Sequence, residues 1–189
     1  MAWGSQPFPK SEFFIACPEC RRPALFRQVA VFSIVPQERR ALFAKDSRFR
    51  VIDTDTGPIG LFWRDLSGDP ASIRWLTDDE VGRLTNGFAW GEYAQEGSCL
   101  CDACGYRRPH RARWPEDAYY QIEHKGHTLW AADRSAAVVL ADFVAAPDRA
   151  PMLQSGWGDM LKRVPTHFLT AQNRGAVEKK LRRLLEDRP

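Results

Sequence analysis

Two short cysteine pairs, separated by residues 21–100, constrain this chain more than any other feature. Cys17-Pro18-Glu19-Cys20 and Cys101-Asp102-Ala103-Cys104-Gly105 each carry the C-x2-C spacing. That spacing turns both sulfurs to one side of a tight knuckle, where backbone amides of the turn can donate to them. Proline after the first cysteine fixes φ, and Gly105 after the second pair permits a positive φ. Two knuckles brought together offer four sulfurs in a tetrahedron. This donor set suits Zn²⁺ and leaves no open position, so Cys17, Cys20, Cys101 and Cys104 are expected to hold a structural ion. Iron–sulfur ligation by the same four is the chemical alternative. A redox C-x-x-C fits less well, because the motif comes as a pair and lacks a thioredoxin-like context.

The gap between the knuckles is long, where a minimal ribbon has about fifteen to twenty residues. Loop-closure entropy grows only as the logarithm of length, so the longer loop costs roughly 1–2 kcal/mol more. A small structural zinc site contributes on the order of 10–16 kcal/mol, so the metal outweighs the loop. The fifth cysteine, Cys99, is read as a small buried or spare thiol, because Cys101 and Cys104 with Gly105 match the knuckle better. An odd number of cysteines, and a start (MAWGSQPFPKSEFF) without a charged and then apolar leader, point to metal in a reducing cytoplasm rather than to disulfides.

The 189 residues, 44% of them hydrophobic, suffice for one compact domain or two small ones sharing a core, and exclude a wholly disordered chain. No apolar run is long enough for a membrane-spanning helix. The fold expected is α+β: a zinc ribbon over residues 1–115 with a long β-rich insertion at 21–100, then a β-hairpin and two C-terminal helices over 116–189. Residues 24–35 read as strand, and 51–63 as two strands around a Gly57-Pro58 turn. Thr77 to Glu80 form a capping box that opens a short helix through about Leu84, with Asn86-Gly87 as a stop or turn. Residues 118–123 and 128–131 pair around a turn at 124–127. Asp133 caps a helix over 134–146, residues 147–160 read as loop, and Pro165 opens a helical turn. Thr170 caps the last helix, whose Val177, Leu181, Leu184 and Leu185 form one apolar stripe expected to pack on the hairpin.

Net charge is only +3, but it is unevenly spread. Residues 53–96 hold nine acids against three arginines, whereas 162–188 hold eight bases against three acids. The stretch Tyr106-Arg107-Arg108-Pro109-His110-Arg111-Ala112-Arg113-Trp114 contains no acid and mixes arginine with aromatics, a composition suited to phosphate and base contacts. Arg21 and Arg22, with Lys10 and Arg27, flank the first knuckle. Arg39 and Arg40, with Lys45, Arg48 and Arg50, form a further strip, and Lys179 and Arg183 stand on the basic face of the last helix. Nucleic acid is the partner these positions point to, with a solvated charged face as the plainer reading. Trp130 and Trp157 are read as core.

Little else carries chemistry. His124 and His127 sit on a turn and are read as solvated rather than as a second metal site. Asp53 and Asp55 would suit a metal-dependent nuclease, but turn and capping roles explain the acids of 53–80 more simply. No P-loop, G-x-G-x-x-G, G-x-S-x-G or H-E-x-x-H occurs, so the expectation is a protein that is not an enzyme.

The segment GHTLWAADRSAAVVLADFVA (126–145), followed by VPTHFLTAQNRGAVEKKLRRLL (164–185) and preceded by the C-x2-C pairs, resembles bacterial zinc-ribbon proteins of poorly defined function. It also resembles the zinc-finger-bearing large subunit of type IV CRISPR effector complexes, which the long insertion between CPEC and CDAC favours. The resemblance covers about 100 residues and leaves out 51–96. It implies a non-catalytic, cytoplasmic subunit of an antiviral ribonucleoprotein, with crRNA, target DNA and the other subunits as partners. Such a subunit would touch the crRNA 5′ end and the protospacer-adjacent motif of duplex DNA, while guide pairing supplies the remaining specificity. The alternative is a stand-alone zinc-ribbon DNA-binding regulatory or transcription factor.

Overall fold

The computed structural model describes residues 12–87, 89 and 91–188. The amino-terminal stretch read for a leader, Lys10 included, lies largely outside the described residues. In chain order the elements are β1 (Glu12–Ala16), β2 (Pro23–Gln28), β3 (Ala30–Ser33), α1 (Arg40–Lys45), β4 (Phe49–Thr54), β5 (Gly57–Phe62), α2 (Arg64–Ser67), α3 (Asp78–Asn86), β6 (Glu96–Leu100) and β7 (Arg107–Arg111). There follow β8 (Tyr120–His124), β9 (His127–Ala131), α4 (Arg134–Ala145), α5 (Ala150–Leu153), α6 (Gly158–Leu161), α7 (Thr166–Leu169) and α8 (Ala171–Asp187). This is a mixed α+β chain with several small antiparallel sheets, as the sequence led us to expect. It divides into two compact units, one containing residues 13–23 and 113–189 and the other residues 24–112.

In the 24–112 unit, β2, β6 and β7 run antiparallel in that order, with Leu25 opposite Leu100 and Leu100 opposite Arg107. A second antiparallel sheet has the order β3-β5-β4. Both of its faces are covered. Ala30, Phe32 and Phe62 join Phe43, Phe49, Ile73 and Leu84 on one side, while Val29, Val31, Ile59, Leu61 and Ala89 cluster on the other. A strand buried on both faces has no polar alternation, which is why GPIGLF is apolar throughout.

Two expectations need correcting here. The run 24–35 is not one strand: it breaks at Val29, whose N–H bonds the Glu96 carbonyl, and feeds two different sheets. The β4–β5 turn is Asp55-Thr56, because Thr54 pairs with Gly57 and Asp53 with Pro58, so Gly57-Pro58 begins the second strand. The capping box at the start of α3 is present. Thr77 Oγ1 accepts from the Glu80 amide, and the Glu80 carboxylate accepts from the Thr77 amide at 2.8 Å.

The other unit is organised by the β8–β9 hairpin, whose turn is Lys125-Gly126, and by α4 and α8. Asp133 caps α4 by accepting from the Ala136 amide at 2.8 Å. Val177, Leu181 and Leu185 of α8 are buried with Tyr120, Ile122 and Leu129 of the hairpin and with Leu140 and Val144 of α4. The stripe therefore packs on helix and hairpin together, with Leu184 at its half-buried margin. Residues 147–160, expected as loop, contain α5 and α6. Asp148 accepts from the Ala150 amide to start α5, and Gly158 lies so close to the Leu153 carbonyl that a Cβ there would stand 2.2 Å from its oxygen. Thr170 occupies the N-cap position of α8, but its hydroxyl turns back to the His167 carbonyl and makes no cap bond. Trp130 is buried, as expected. Trp157, at the start of α6, is exposed instead.

The Arg39–Glu80 pair is the most enclosed ion pair described, with the Glu80 side chain 3% exposed. Arg39 meets both carboxylate oxygens, at 2.6 and 2.8 Å, and its Nη2 also donates to the Trp75 carbonyl. Burial pushes the Glu80 carboxyl up, but the Thr77 amide, the Arg39 guanidinium and the Thr77 hydroxyl together hold it below the usual range. A carboxyl depressed in the fold stabilises above its unfolded pKa, and that contribution is lost as pH falls through the folded value. We predict that Glu80→Ala costs about 3 kcal/mol in chemical denaturation, because it strands Arg39 and removes the carboxylate half of the capping box, whereas Glu80→Gln, which can still accept from the Thr77 amide, costs less.

Candidate metal centre and basic groove

The two knuckles share one backbone design. In the first, the Cys17 amide donates to the Arg22 carbonyl at 2.8 Å and the Arg21 amide to the Cys17 carbonyl at 3.0 Å. In the second, the Cys101 amide donates to the Tyr106 carbonyl at 2.8 Å and the Gly105 amide to the Cys101 carbonyl at 2.9 Å. The residue after each second cysteine has a positive φ: 59° at Arg21 and 75° at Gly105. Gly105 does this freely, whereas Arg21 accepts a cost of about 1 kcal/mol.

Local structure anchors each knuckle. The Ala16 amide bonds the Asp117 carbonyl, Ile15 bridges to Ala118, and the buried Asp117 carboxylate accepts from the Arg113 amide. Arg21 Nη2 donates to the Glu116 carbonyl. The second knuckle, residues 101–106, is the turn joining β6 to β7.

The four expected sulfurs, those of Cys17, Cys20, Cys101 and Cys104, lie within 4.8 Å of one another. A tetrahedral ion with metal–sulfur bonds of about 2.3 Å sets its sulfurs about 3.8 Å apart, so small adjustments seat it. None of the four is disulfide-bonded, and the donor set contains no carboxylate or imidazole. Such an arrangement suits a thiophilic ion held in a closed shell. Cys99 is buried at mid-strand opposite Phe26 and Arg108, outside this cluster.

Arginines separate into two populations. Arg39 is committed to Glu80. Arg40 meets Asp53 through two hydrogen bonds, at 2.8 and 2.6 Å, which holds the Asp53 carboxyl down and occupies the acid considered for nuclease chemistry. Arg27 pairs with Glu12 and Asp65. Arg183 is exposed and 3.7 Å from Asp187, while Arg22, Arg113 and Lys179 are exposed.

On β7, strand alternation puts Arg107, Pro109 and Arg111 on one face and Arg108 on the other. The Arg108 guanidinium lies over the Tyr106 ring at 5.9 Å. Arg107 and Arg111 line an open groove of about 710 Å³ with Arg48, Arg50, Trp63, Leu66, Pro109 and His110. Arg48 forms two side-chain hydrogen bonds and one backbone hydrogen bond to Asp46, which hold the Asp46 carboxyl down at about 2. Arg111 stands 3.7 Å from Glu96. Among the described residues, no carboxylate pairs with Arg50 or Arg107. The sequence pointed to the arginines but not to Trp63 or Leu66, because no local pattern tells which distant aromatic will floor a groove.

Of the two histidines read as solvated, one is and one is not. His124 is buried with its Nε2 unpartnered, and the exposed His127 has its ring 4.2 Å from that of His167. Among the described residues, no helix is long and apolar enough to cross a membrane. No protein-family model matches the chain, and neither a curated protein nor a solved structure matches it.

We predict one metal ion per chain by plasma mass spectrometry. Cys17→Ser or Cys104→Ser should abolish it and leave the protein insoluble, while Cys99→Ala should retain it. A soluble, metal-free and well-folded Cys17→Ser variant would refute the site. Gly105→Ala, which meets no atom but must hold a positive φ, should keep the metal and lose about 1 kcal/mol of stability.

Proposed function

We propose that this chain is a non-catalytic, nucleic-acid-contacting protein in which a structural Zn²⁺ on Cys17, Cys20, Cys101 and Cys104 fixes a ribbon-like frame. The observation that carries the reading is the β7 strand. It rises directly from the second knuckle, and its Arg107, Arg108 and Arg111 are exposed. Among the described residues, Glu96 is the one carboxylate within ion-pair distance of any of them. Arginines held on a rigid strand lose less conformational entropy on meeting phosphates than the same residues on a mobile loop. A closed four-sulfur shell supplies structure and no site for substrate water, which supports binding rather than catalysis.

In its most specific form the proposal follows the resemblance: a subunit of a crRNA-guided type IV CRISPR ribonucleoprotein that contacts the crRNA 5′ end and the protospacer-adjacent motif. A native pull-down with sequencing of the bound RNA tests it. Discrete small RNAs with repeat-derived ends, together with backbone subunits, would support this form. The protein alone, or with RNA polymerase, would favour the stand-alone zinc-ribbon factor.

The broader reading has its own measurement. Replacing Arg107, Arg108 and Arg111 together by Gln should weaken nucleic-acid binding and reduce the slope of log K against log salt by about 0.7–0.9 for each phosphate no longer neutralised. Unchanged binding by a folded triple variant would remove this surface.

A further inference from the structure

The groove beside β7 supports a narrower statement, which rests on the nucleic-acid reading above. We infer that the groove lined by Arg48, Arg50, Trp63, Leu66, Arg107 and Arg111 seats unpaired nucleotides of a single-stranded nucleic acid, with phosphates on the rim arginines and a base against the apolar floor.

Charge is the first argument. The lining holds four arginines against one acid, Glu96. Arg50 comes from β4 and Arg48 from the turn just before it, and the other two come from β7. Arg50 and Arg107 have no carboxylate partner among the described residues, so their guanidinium donors face water. Cationic groups on two separate strands suit a ligand whose negative charge is repeated along a chain rather than a single anion.

Shape and polarity form the second argument. Between the arginines lie Phe49, Trp63, Leu66 and Pro109. Trp63 is half-buried, and its indole N–H donates to the Gly97 carbonyl at 3.0 Å, which fixes the ring before any ligand arrives. A duplex keeps its base faces stacked inside and offers a protein surface mainly sugar and phosphate, so an apolar floor gains nothing from it. An unpaired base has a free π-face, and stacking on an aromatic is worth about 1–3 kcal/mol per base. A volume of about 710 Å³ falls within the range of small-ligand pockets and suits one or two nucleotides rather than the body of a helix.

β7 is an edge strand, a position open in principle to an added peptide strand. Pro109 lacks a donor at mid-strand, and charged side chains flank it on both sides, two devices that discourage strand addition.

The test uses the full metal-loaded chain and fluorescence anisotropy. Fluorescein-labelled single strands of about 12 nucleotides, one DNA and one RNA, are compared with a duplex of the same length. Either single strand should bind at least about tenfold more tightly than the duplex, and the two arms show whether the sugar matters. Arg50→Gln with Arg107→Gln should weaken single-strand binding about tenfold or more and lower the salt slope by about 1.4, whereas Arg74→Gln, exposed and outside the groove, should not. Thermal melting establishes that the variants are folded. Photocrosslinking of a bromouracil-substituted strand, mapped by mass spectrometry, should mark residues within 47–67 or 107–111.

Equal binding of duplex and single strand would overturn the groove assignment and leave the broader reading standing. So would binding that ignores Arg50→Gln with Arg107→Gln, or crosslinks confined to other segments. Failure of every nucleic acid to bind, or preference for an acidic phosphopeptide, would overturn both.

Discussion

Four cysteine sulfurs gathered within 4.8 Å of one another are the constraint on which the two knuckles converge. Soft sulfur donors in that number and at that spacing match the preference of a thiophilic metal ion. An ion of that kind would supply more energy than the entropy of closing so long an intervening segment takes away. The knuckles prepare for the ion in the backbone. Each uses the same pair of hydrogen bonds across a cysteine and the same left-handed residue after its second cysteine. Arg21 takes that conformation without glycine's freedom, so the first knuckle stores a small strain that the second does not.

Within the 24–112 unit, the arginines divide by whether a carboxylate neutralises them. Arg39 is drawn into a nearly buried pair with Glu80, where it fastens the turn before α1 to the start of α3. Its guanidinium cannot serve a ligand without stranding Glu80. Arg40 is tied to Asp53 on the surface, where pairing is weak and screened, while Arg48 is held by the part-buried Asp46. A phosphate could compete for Arg40. Arg50 and Arg107 need not surrender a partner. The acidic excess of residues 53–96 is thus largely structural: its carboxylates cap α3, hold Arg40 and balance Arg27.

How much of this could be read from residues alone follows from how local each signal is. The four cysteines were legible because knuckle geometry is written within a few residues. The capping box at Thr77, the cap at Asp133 and the hairpin turning within 124–127 were legible for the same reason. The break at Val29 was not, since an apolar run buried on both faces has no period to reveal where it changes sheets. The β4–β5 turn was misplaced because Gly57-Pro58 is a strong turn signal that cross-strand pairing overrode, leaving Asp55-Thr56 at the bend. The short helices α5 and α6 rest on Asp148 and on the close approach of Gly158 to Leu153, in a segment whose proline, glycine and serine content reads as loop. Within the basic strips, composition could not separate Arg39, held by Glu80, from Arg50, which faces the groove.

The same limit bears on how the β7 strand should be understood. As a sequence, Arg107, Arg108 and Arg111 are one cluster. As a strand, they are two surfaces, because successive side chains point to opposite faces. Arg108 lies over Tyr106 on one face, and Arg107 and Arg111 line the groove with Pro109 on the other. An interaction that drew equally on all three would have to wrap the edge of the sheet. One that drew on Arg107 and Arg111 with Arg50 would stay on a single face and meet Trp63 there. The second geometry asks for no change in the protein. It uses guanidiniums that are already exposed and an indole already held by Gly97, so the ordering cost of binding falls on the ligand, which is the situation a flexible single strand can meet.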